Sequence, residues 1–289
     1  YLRRCRFGQS TQDVAIGLVP TMGALHIGHL SLIERARQEN NFVIVSIFVN
    51  PLQFGPNEDF QQYPRQLDRD RQLCQQAGVD AIFAPAAEEA IPDLGNASSG
   101  SSMSRDAPST AVVPPESMTS VLCGRFRPGH FQGVATIVTK LLNLVQPNRA
   151  YFGQKDAQQL AIIRRLVADL NLPVEIVGCP ILREASGLAY SSRNQYLTPE
   201  QKSLAAVLSH SLLQAEKLFK AGERLSASLI AAVEAELATV PAIMPEYVEL
   251  VHPNTLIPLE NVEEVGLLAI AARLGATRLI DNVLLKNRK

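Results

Sequence analysis

The sequence has almost no surplus of either charge. Lys and Arg number 27 and Asp and Glu 28, so the formal net charge is −1. That excludes a strongly basic nucleic-acid binder and an acidic, disordered tail protein. Cysteine is scarce: the four positions Cys5, Cys74, Cys123 and Cys179 form no C-x-x-C pair and are scattered over 289 residues. A disulfide miniprotein is excluded, and the expectation is reduced, mostly buried thiols in a cytoplasmic protein. Gly and Pro, 17 and 18 residues, are too few for a collagen-like or low-complexity chain. No run approaches the roughly 18 consecutive apolar residues of a membrane helix. The first residues, Tyr1-Leu2-Arg3-Arg4-Cys5, have no signal-peptide core and no initiator Met, and read as the start of a processed, trimmed or partial chain. What remains is a globular composition, 46% hydrophobic, long enough for about two domains at roughly 150 residues each.

Short apolar runs alternate with amphipathic stretches. Residues 14–20 (VAIGLVP) read as a buried strand. From 28 to 37, Leu30, Ile33 and Ala36 recur every third residue, a helical pattern. Residues 42–49 (FVIVSIFV) are continuous, β-branched and aromatic, as in a strand covered on both faces. A charged amphipathic helix is predicted over 65–77, a strand over 81–84 and a helix over 131–145 that stops before Pro147. A strand at 149–152, a helix capped by Asp156 and a strand at 174–177 complete the series. Strands alternating with helices predict an α/β fold, a Rossmann-like parallel sheet with helices on both faces. After about Leu182 the pattern changes. Ala/Leu-rich helices at about 199–221 and 226–238 precede β-like runs at 247–251, 267–272 and 278–285. These predict a smaller C-terminal α+β domain, with boundaries at 1–181 and 182–289. The Ser-rich stretch 96–110 (NASSGSSMSRDAPST) reads as a flexible surface loop.

Four places carry chemistry. In Pro20-Thr21-Met22-Gly23-Ala24-Leu25-His26-Ile27-Gly28-His29 a strand ends, small residues turn the chain and a helix begins. His26 and His29, three apart, share a face of the first turn. A helix N-terminus offers bare N–H groups and partial positive charge, which suits phosphate, with two ordinary surface or capping histidines as the alternative reading. Neither G-x-G-x-x-G nor G-x-x-x-x-G-K-[ST] is present, and the other histidines lack metal-ligand spacing. Gly153-Gln154-Lys155-Asp156 lies at another strand-to-helix junction, where Lys155 suits phosphate and Asp156 suits a helix cap or Mg²⁺; a solvated Lys–Asp pair is the competing reading. Ser191-Ser192-Arg193-Asn194 offers hydroxyls and a guanidinium for a triphosphate, or is a turn before the next helix. Asn50-Pro51-Leu52-Gln53-Phe54 follows the most hydrophobic strand, where ligands of open α/β sheets bind. One of Gln158 and Gln159 is a candidate for the same cleft, with solvent exposure as the alternative for both. The basic run Arg125 to His130 suits an anion or a solvated loop.

The H-x-G-H element after a first strand resembles the nucleotidylyl-transferase superfamily, which includes class I aminoacyl-tRNA synthetases. The ordered segments PTMGALHIGH, SIFVNPLQFGPNED, YPR, RPGHFQGV, GQKDAQQL and SSRNQYL, from about Val19 to Asn282, resemble one family within it, the pantothenate synthetases or pantoate–β-alanine ligases. The resemblance implies that ATP and (R)-pantoate react, with Mg²⁺, to pantoyl adenylate and pyrophosphate, and that β-alanine then displaces AMP to give pantothenate. It assigns Met22, Gly23, Ala24, Leu25, His26, Ile27, Gly28 and His29 to ATP, with His26 and His29 on the phosphates and His29 as the proton donor. Gly153, Gln154, Lys155, Asp156, Leu182, Tyr190, Ser191, Ser192 and Arg193 match further ATP positions, with Lys155 and Arg193 as catalytic cations. Gln53 and Gln159 match pantoate-binding glutamines, Gln53 also beside β-alanine, and Asn50, Tyr63, Arg127 and His130 match supporting positions.

Three departures stand out: Tyr190 where relatives commonly have Met or another apolar residue, Ala157 where many have an aromatic, and the lengthened Ser-rich loop. The C-terminal domain, with the Ser191-Ser192-Arg193 loop near its start, reads as a lid. Relatives are homodimers through the nucleotide-binding domain, and no nucleic-acid or membrane partner is expected. In some relatives, notably cyanobacterial ones, a cytidylate kinase is fused at the C-terminus, and a chain that stops at Lys289 without a P-loop is compatible with a piece of such a fusion. The rival readings are another H-x-G-H adenylyl- or cytidylyl-transferase and a non-catalytic nucleotide-binding domain.

Overall fold

The structure, a computed structural model, describes residues 14–56, 58–91 and 110–287. The Ser-rich loop expectation therefore lies outside the described residues except at Thr110, as do Cys5 and the N-terminal residues. The helices in chain order are α1 (Ile27–Glu39), α2 (Leu67–Gln76), α3 (Ala87–Ala90), α4 (Glu116–Thr119), α5 (Leu122–Phe126), α6 (His130–Val145), α7 (Ala157–Asp169), α8 (Pro199–Ala205), α9 (Val207–Lys220) and α10 (Ser226–Leu237). The chain divides into two compact units. The first draws on Tyr1–Pro114, Arg127–Gly153 and Ile163–Cys179, the second on Pro115–Phe126, Gln154–Ile162 and Pro180–Lys289.

In the first unit the apolar runs become strands β1 (Ile16–Thr21), β2 (Phe42–Ile47), β3 (Ala81–Phe83), β4 (Arg149–Gly153) and β5 (Glu175–Cys179). They form one parallel sheet in the order β3-β2-β1-β4-β5, with Leu18 opposite Ile44 on one side and Ala150 on the other. The direction of strand addition reverses between β1 and β4, the place where open parallel sheets bind ligands at strand carboxyl ends. Val19, Val43, Val45 and Tyr151 of the sheet pack with Leu25, Ile33 and Ala36 around α1 and with Cys74 of α2. The apolar run at 42–49 is longer than its strand, because Phe48 and Val49 already lead into the turn at Asn50.

In the second unit β6 (Ile243–Val251), β7 (Val265–Leu274) and β8 (Thr277–Lys286) form an antiparallel sheet in chain order. Its core joins Leu208, Leu212, Leu229 and Val233 of α9 and α10 to Leu268 and Ile270 of β7. The helix expected at 199–221 is two helices meeting at Ala206. β6 begins before the expected Tyr247, since Pro245 sits at a register shift where a missing N–H is tolerated. Among the described residues no helix is long and apolar enough to cross a membrane.

Candidate active site

The turn from β1 into α1 needs backbone that few residues adopt. Gly23 and Ala24 both have left-handed φ, +78° and +49°. Gly23 is also confined by space, since a Cβ there would stand 2.9 Å from Asp70 Oδ2. Thr21 Oγ1 receives the Gly23 N–H at 3.1 Å and donates to the Ser46 carbonyl at 2.7 Å. Asp70 of α2, 1% exposed, receives the Ala24 N–H on Oδ2 at 2.9 Å and the Leu25 N–H on Oδ1 at 2.8 Å.

His26 is then the N-cap of α1, and the two histidines cap reciprocally. Gly28 N–H donates to His26 Nδ1 at 3.1 Å, and His26 N–H donates to His29 Nδ1 at 3.4 Å. Their rings stack with centroids 4.0 Å apart. They occupy the positions that Ser or Thr and Glu or Gln fill in an ordinary capping box. Because each Nδ1 accepts a backbone proton, each neutral ring carries its own proton on Nε2. The first turn of α1 thus has two imidazole Nε2–H donors beside the positive end of a helix, a combination suited to an anion.

Beyond β2, Asn50 caps a short 3-10 turn, Pro51–Gln53, its Oδ1 receiving the Leu52 N–H at 3.2 Å. Asn50 Nδ2 donates to Gln53 Oε1 and to the Gly133 carbonyl, each at 3.1 Å. The Gln53 amide is thereby oriented, and its Nε2 lies against Met22 Sδ in the turn from β1 into α1. His130 and Arg127 brace the same turn. The Gln53 carbonyl can only accept, so His130 donates from Nδ1 at 2.7 Å, and its Nε2 accepts from Arg127 Nη1 at 3.1 Å. Arg127 also reaches the Gln53 carbonyl at 3.3 Å and forms a two-pronged ion pair with Glu58, its Nε 2.8 Å from Oε1. Tyr63 is buried, edge-on to Phe54 at 5.8 Å between ring centroids.

In the second unit, Gln154–Asp156 is one turn of 3-10 helix leading into α7. Asn282 of β8 donates Nδ2 to the carbonyls of Gln154 at 3.0 Å and Lys155 at 2.9 Å. Asp156 is exposed, and Gly153, Lys155 and Gln159 are half-buried. Gln158 overturns the solvent-exposed alternative, being 5% exposed with Nε2 donating to the carbonyls of Met118 and Val121. Tyr190 N–H donates to the Leu182 carbonyl at 3.0 Å, and Ser191 caps the 3-10 turn Ser192–Tyr196 by receiving the Arg193 N–H at 3.3 Å. Arg183, next to Leu182, forms a two-pronged pair with buried Asp281 of β8. Adjacent residues of one strand therefore hold the two segments, Asn282 the Gln154–Lys155 backbone and Asp281 the Arg183 side chain.

Asp70, Glu58, Asp281 and Asn282 are absent from the sequence-derived site. Asp70 lies in LDRDR, which has the charge pattern of a solvated helix face. Its burial gives it away only in three dimensions. It also acts one turn along α2, where burial and then the Asp70 carboxylate push the Cys74 thiol up to about 11. Among the described residues no three His, Cys, Asp or Glu gather as a metal cage.

Comparison with known proteins extends this geometry. A family model described as Pantoate-beta-alanine ligase matches residues 2–284. The bifunctional pantoate ligase/cytidylate kinase of Trichormus variabilis is 66% identical over 97% of this chain and 51% of its own length. That of Trichodesmium erythraeum is 58% identical over 100% of this chain and 54% of its own. The chain spans about half the length of the curated relatives it matches. Among solved structures, pantothenate synthetase from Thermus thermophilus aligns with a TM-score of 0.88 and 46% identity over 99% of this chain and 98% of that one. The pantoate-beta-alanine ligase of Francisella tularensis, in complex with beta-gamma ATP and beta-alanine, aligns with a TM-score of 0.73 and 35% identity over 98% and 94%. A match that runs unbroken through the histidine turn, the Gln53 turn and the Lys155 and Arg193 segments has one meaning: the chain belongs to the pantoate–β-alanine ligase family.

Proposed function

We propose that the chain condenses (R)-pantoate with β-alanine at the expense of ATP, giving pantothenate, AMP and pyrophosphate through a pantoyl adenylate. The observation that carries this is the family match over residues 2–284, which takes in the histidine turn and the Gln53 turn, both within the first unit. Residues 22–29, 153–156, Leu182 and 190–193 are assigned to ATP. Gln53 and Gln159, supported by Asn50, Tyr63, Arg127 and His130, are assigned to pantoate and β-alanine.

In the first step a pantoate carboxylate oxygen forms a bond to the α-phosphorus, and pyrophosphate leaves with the electrons of the broken P–O bond. Two anions must meet, so the barrier is largely electrostatic. The Nε2–H groups of His26 and His29, with Lys155 and Arg193, are the donors for that charge. Asp156, a single exposed carboxylate, would supply one contact to a Mg²⁺ ion accompanying ATP, whose charge would shield the phosphates. In the second step the β-alanine amine bonds to the acyl carbon, the C–O bond to AMP breaks and the amine sheds its proton. The same reading takes the working form as a cytoplasmic homodimer, and the parent chain as carrying a cytidylate kinase, as the relatives' names do.

The test is ATP–pyrophosphate exchange with Mg²⁺, with and without pantoate. Exchange should require pantoate and fall on the order of 10²–10³-fold in His29→Ala. Folded protein that shows no pantoate-dependent exchange would overturn the proposal.

A further inference from the structure

We propose that Asp70 is a positioning residue for the adenylation step: it fixes the backbone of Ala24 and Leu25 and thereby aims His26 and His29. This rests on the ligase reading above.

The turn cannot hold itself. Gly23 and Ala24 are consecutive left-handed residues, and Ala24, with a Cβ, is disfavoured there. The two amides that follow this reversal are buried with their residues, 2% and 3% exposed. Both are satisfied by one side chain 45 or 46 residues away, an oxygen apiece. Only a carboxylate offers two acceptor oxygens on one planar group, so neither Asn nor Ser substitutes. Asp70 is itself anchored. It lies in the first turn of α2, where the helix favours negative charge, and its N–H donates to the Gln66 carbonyl at 2.9 Å. Gly23 completes the fit, because a Cβ there would press on Asp70 Oδ2 at 2.9 Å.

The His26 N–H that starts the reciprocal cap follows directly on the Leu25 amide. A shift of Ala24 and Leu25 therefore moves the cap, both rings and their Nε2–H donors together. Displacements of about 1 Å at a reacting centre cost on the order of 10²-fold.

The test uses Asp70→Asn, the same shape with one oxygen replaced by a donor. Pantoate-dependent ATP–pyrophosphate exchange should fall roughly 10- to 100-fold. Release of pantothenate from added pantoyl adenylate and β-alanine should keep its rate, because that step does not need the triphosphate aimed. Amide hydrogen exchange in the unliganded protein should show faster exchange at Ala24 and Leu25. Unchanged pyrophosphate exchange, or an equal loss in both half-reactions with folded protein, overturns the proposal. Should Asp70→Asn fail to fold, Asp70→Glu keeps both oxygens but lengthens their arm, and it must give the same split. A wild-type protein without pantoate-dependent exchange refutes the ligase reading instead. The amide-exchange arm then still decides whether Asp70 holds the turn, and unchanged protection there overturns that as well.

Discussion

Gly133→Ala should cripple the use of pantoate while leaving the protein folded. Gly133 is buried in α6 where the helix meets the Pro51–Gln53 turn. A Cβ there would lie 2.2 Å from the Leu52 carbonyl oxygen, 2.4 Å from its carbon and 2.7 Å from Gln53 N. All three are backbone atoms, so no side chain can rotate away, and the turn must retreat by about 1 Å to reach ordinary contact. Overpacking of this kind costs roughly 1–3 kcal/mol, offset by roughly 0.5–1 kcal/mol because Ala is the better helix residue. The net loss is one a domain of ordinary stability survives. Gln53 travels with the turn, however, and its braces from Asn50 and His130 are set for the present position. A displacement of about 1 Å should cost on the order of 10²-fold in pantoate-dependent pyrophosphate exchange. Exchange at varied pantoate, with calorimetry on the same sample, separates the two effects. A folded Gly133→Ala protein with the wild-type pantoate dependence would show that the Gln53 turn is not where pantoate is selected.

Asn282→Ala should raise the KM for ATP roughly tenfold, the worth of two neutral hydrogen bonds, and titration of exchange with ATP checks it; an unmoved KM refutes the link from β8 to Lys155. Gln158→Leu strips the partners from the Met118 and Val121 carbonyls and should cost about 1–3 kcal/mol in urea unfolding; an unshifted midpoint would contradict it. Burial raises Tyr151 from 10.0 to about 12, and Cys74 is raised from 9.0 to about 11. The folded protein holds both protons more tightly than the unfolded chain, so this stability is complete below about pH 9 and is lost as pH rises through the folded values. Cys74→Ala should flatten the decline between about pH 9 and 11, and an unchanged slope would assign the alkaline loss to other groups.

The parallel sheet was legible because strands covered on both faces must be continuously apolar, as at Val43, Ile44 and Val45. The histidine turn was legible because its glycines, histidines and helix start are neighbours in the chain. α4 and α5 escaped notice because helices of four or five residues complete too few turns to show a period. Ala206 hid a break between two helices because Ala fits either side of one. The hardest residues to read were those acting at a distance. Asp70 reaches across 45 or 46 positions and Asn282 across 127 or 128. Glu58 looked like any loop carboxylate until it met Arg127. Polarity alone marks such residues as surface, and only packing against particular partners distinguishes them.

The reciprocal cap at the head of α1 has a genetic consequence. Each histidine serves the other's stretch of backbone, so the pair is one thermodynamic object. Losing either ring releases one amide and unstacks its neighbour, so the stacking is lost once while each amide cap is lost with its own ring. Double variants should therefore be milder than the product of the singles only by the shared stacking. A lineage that drops one of these histidines loosens the ring of the other but leaves its amide cap in place, so the survivor keeps a structural reason to be retained.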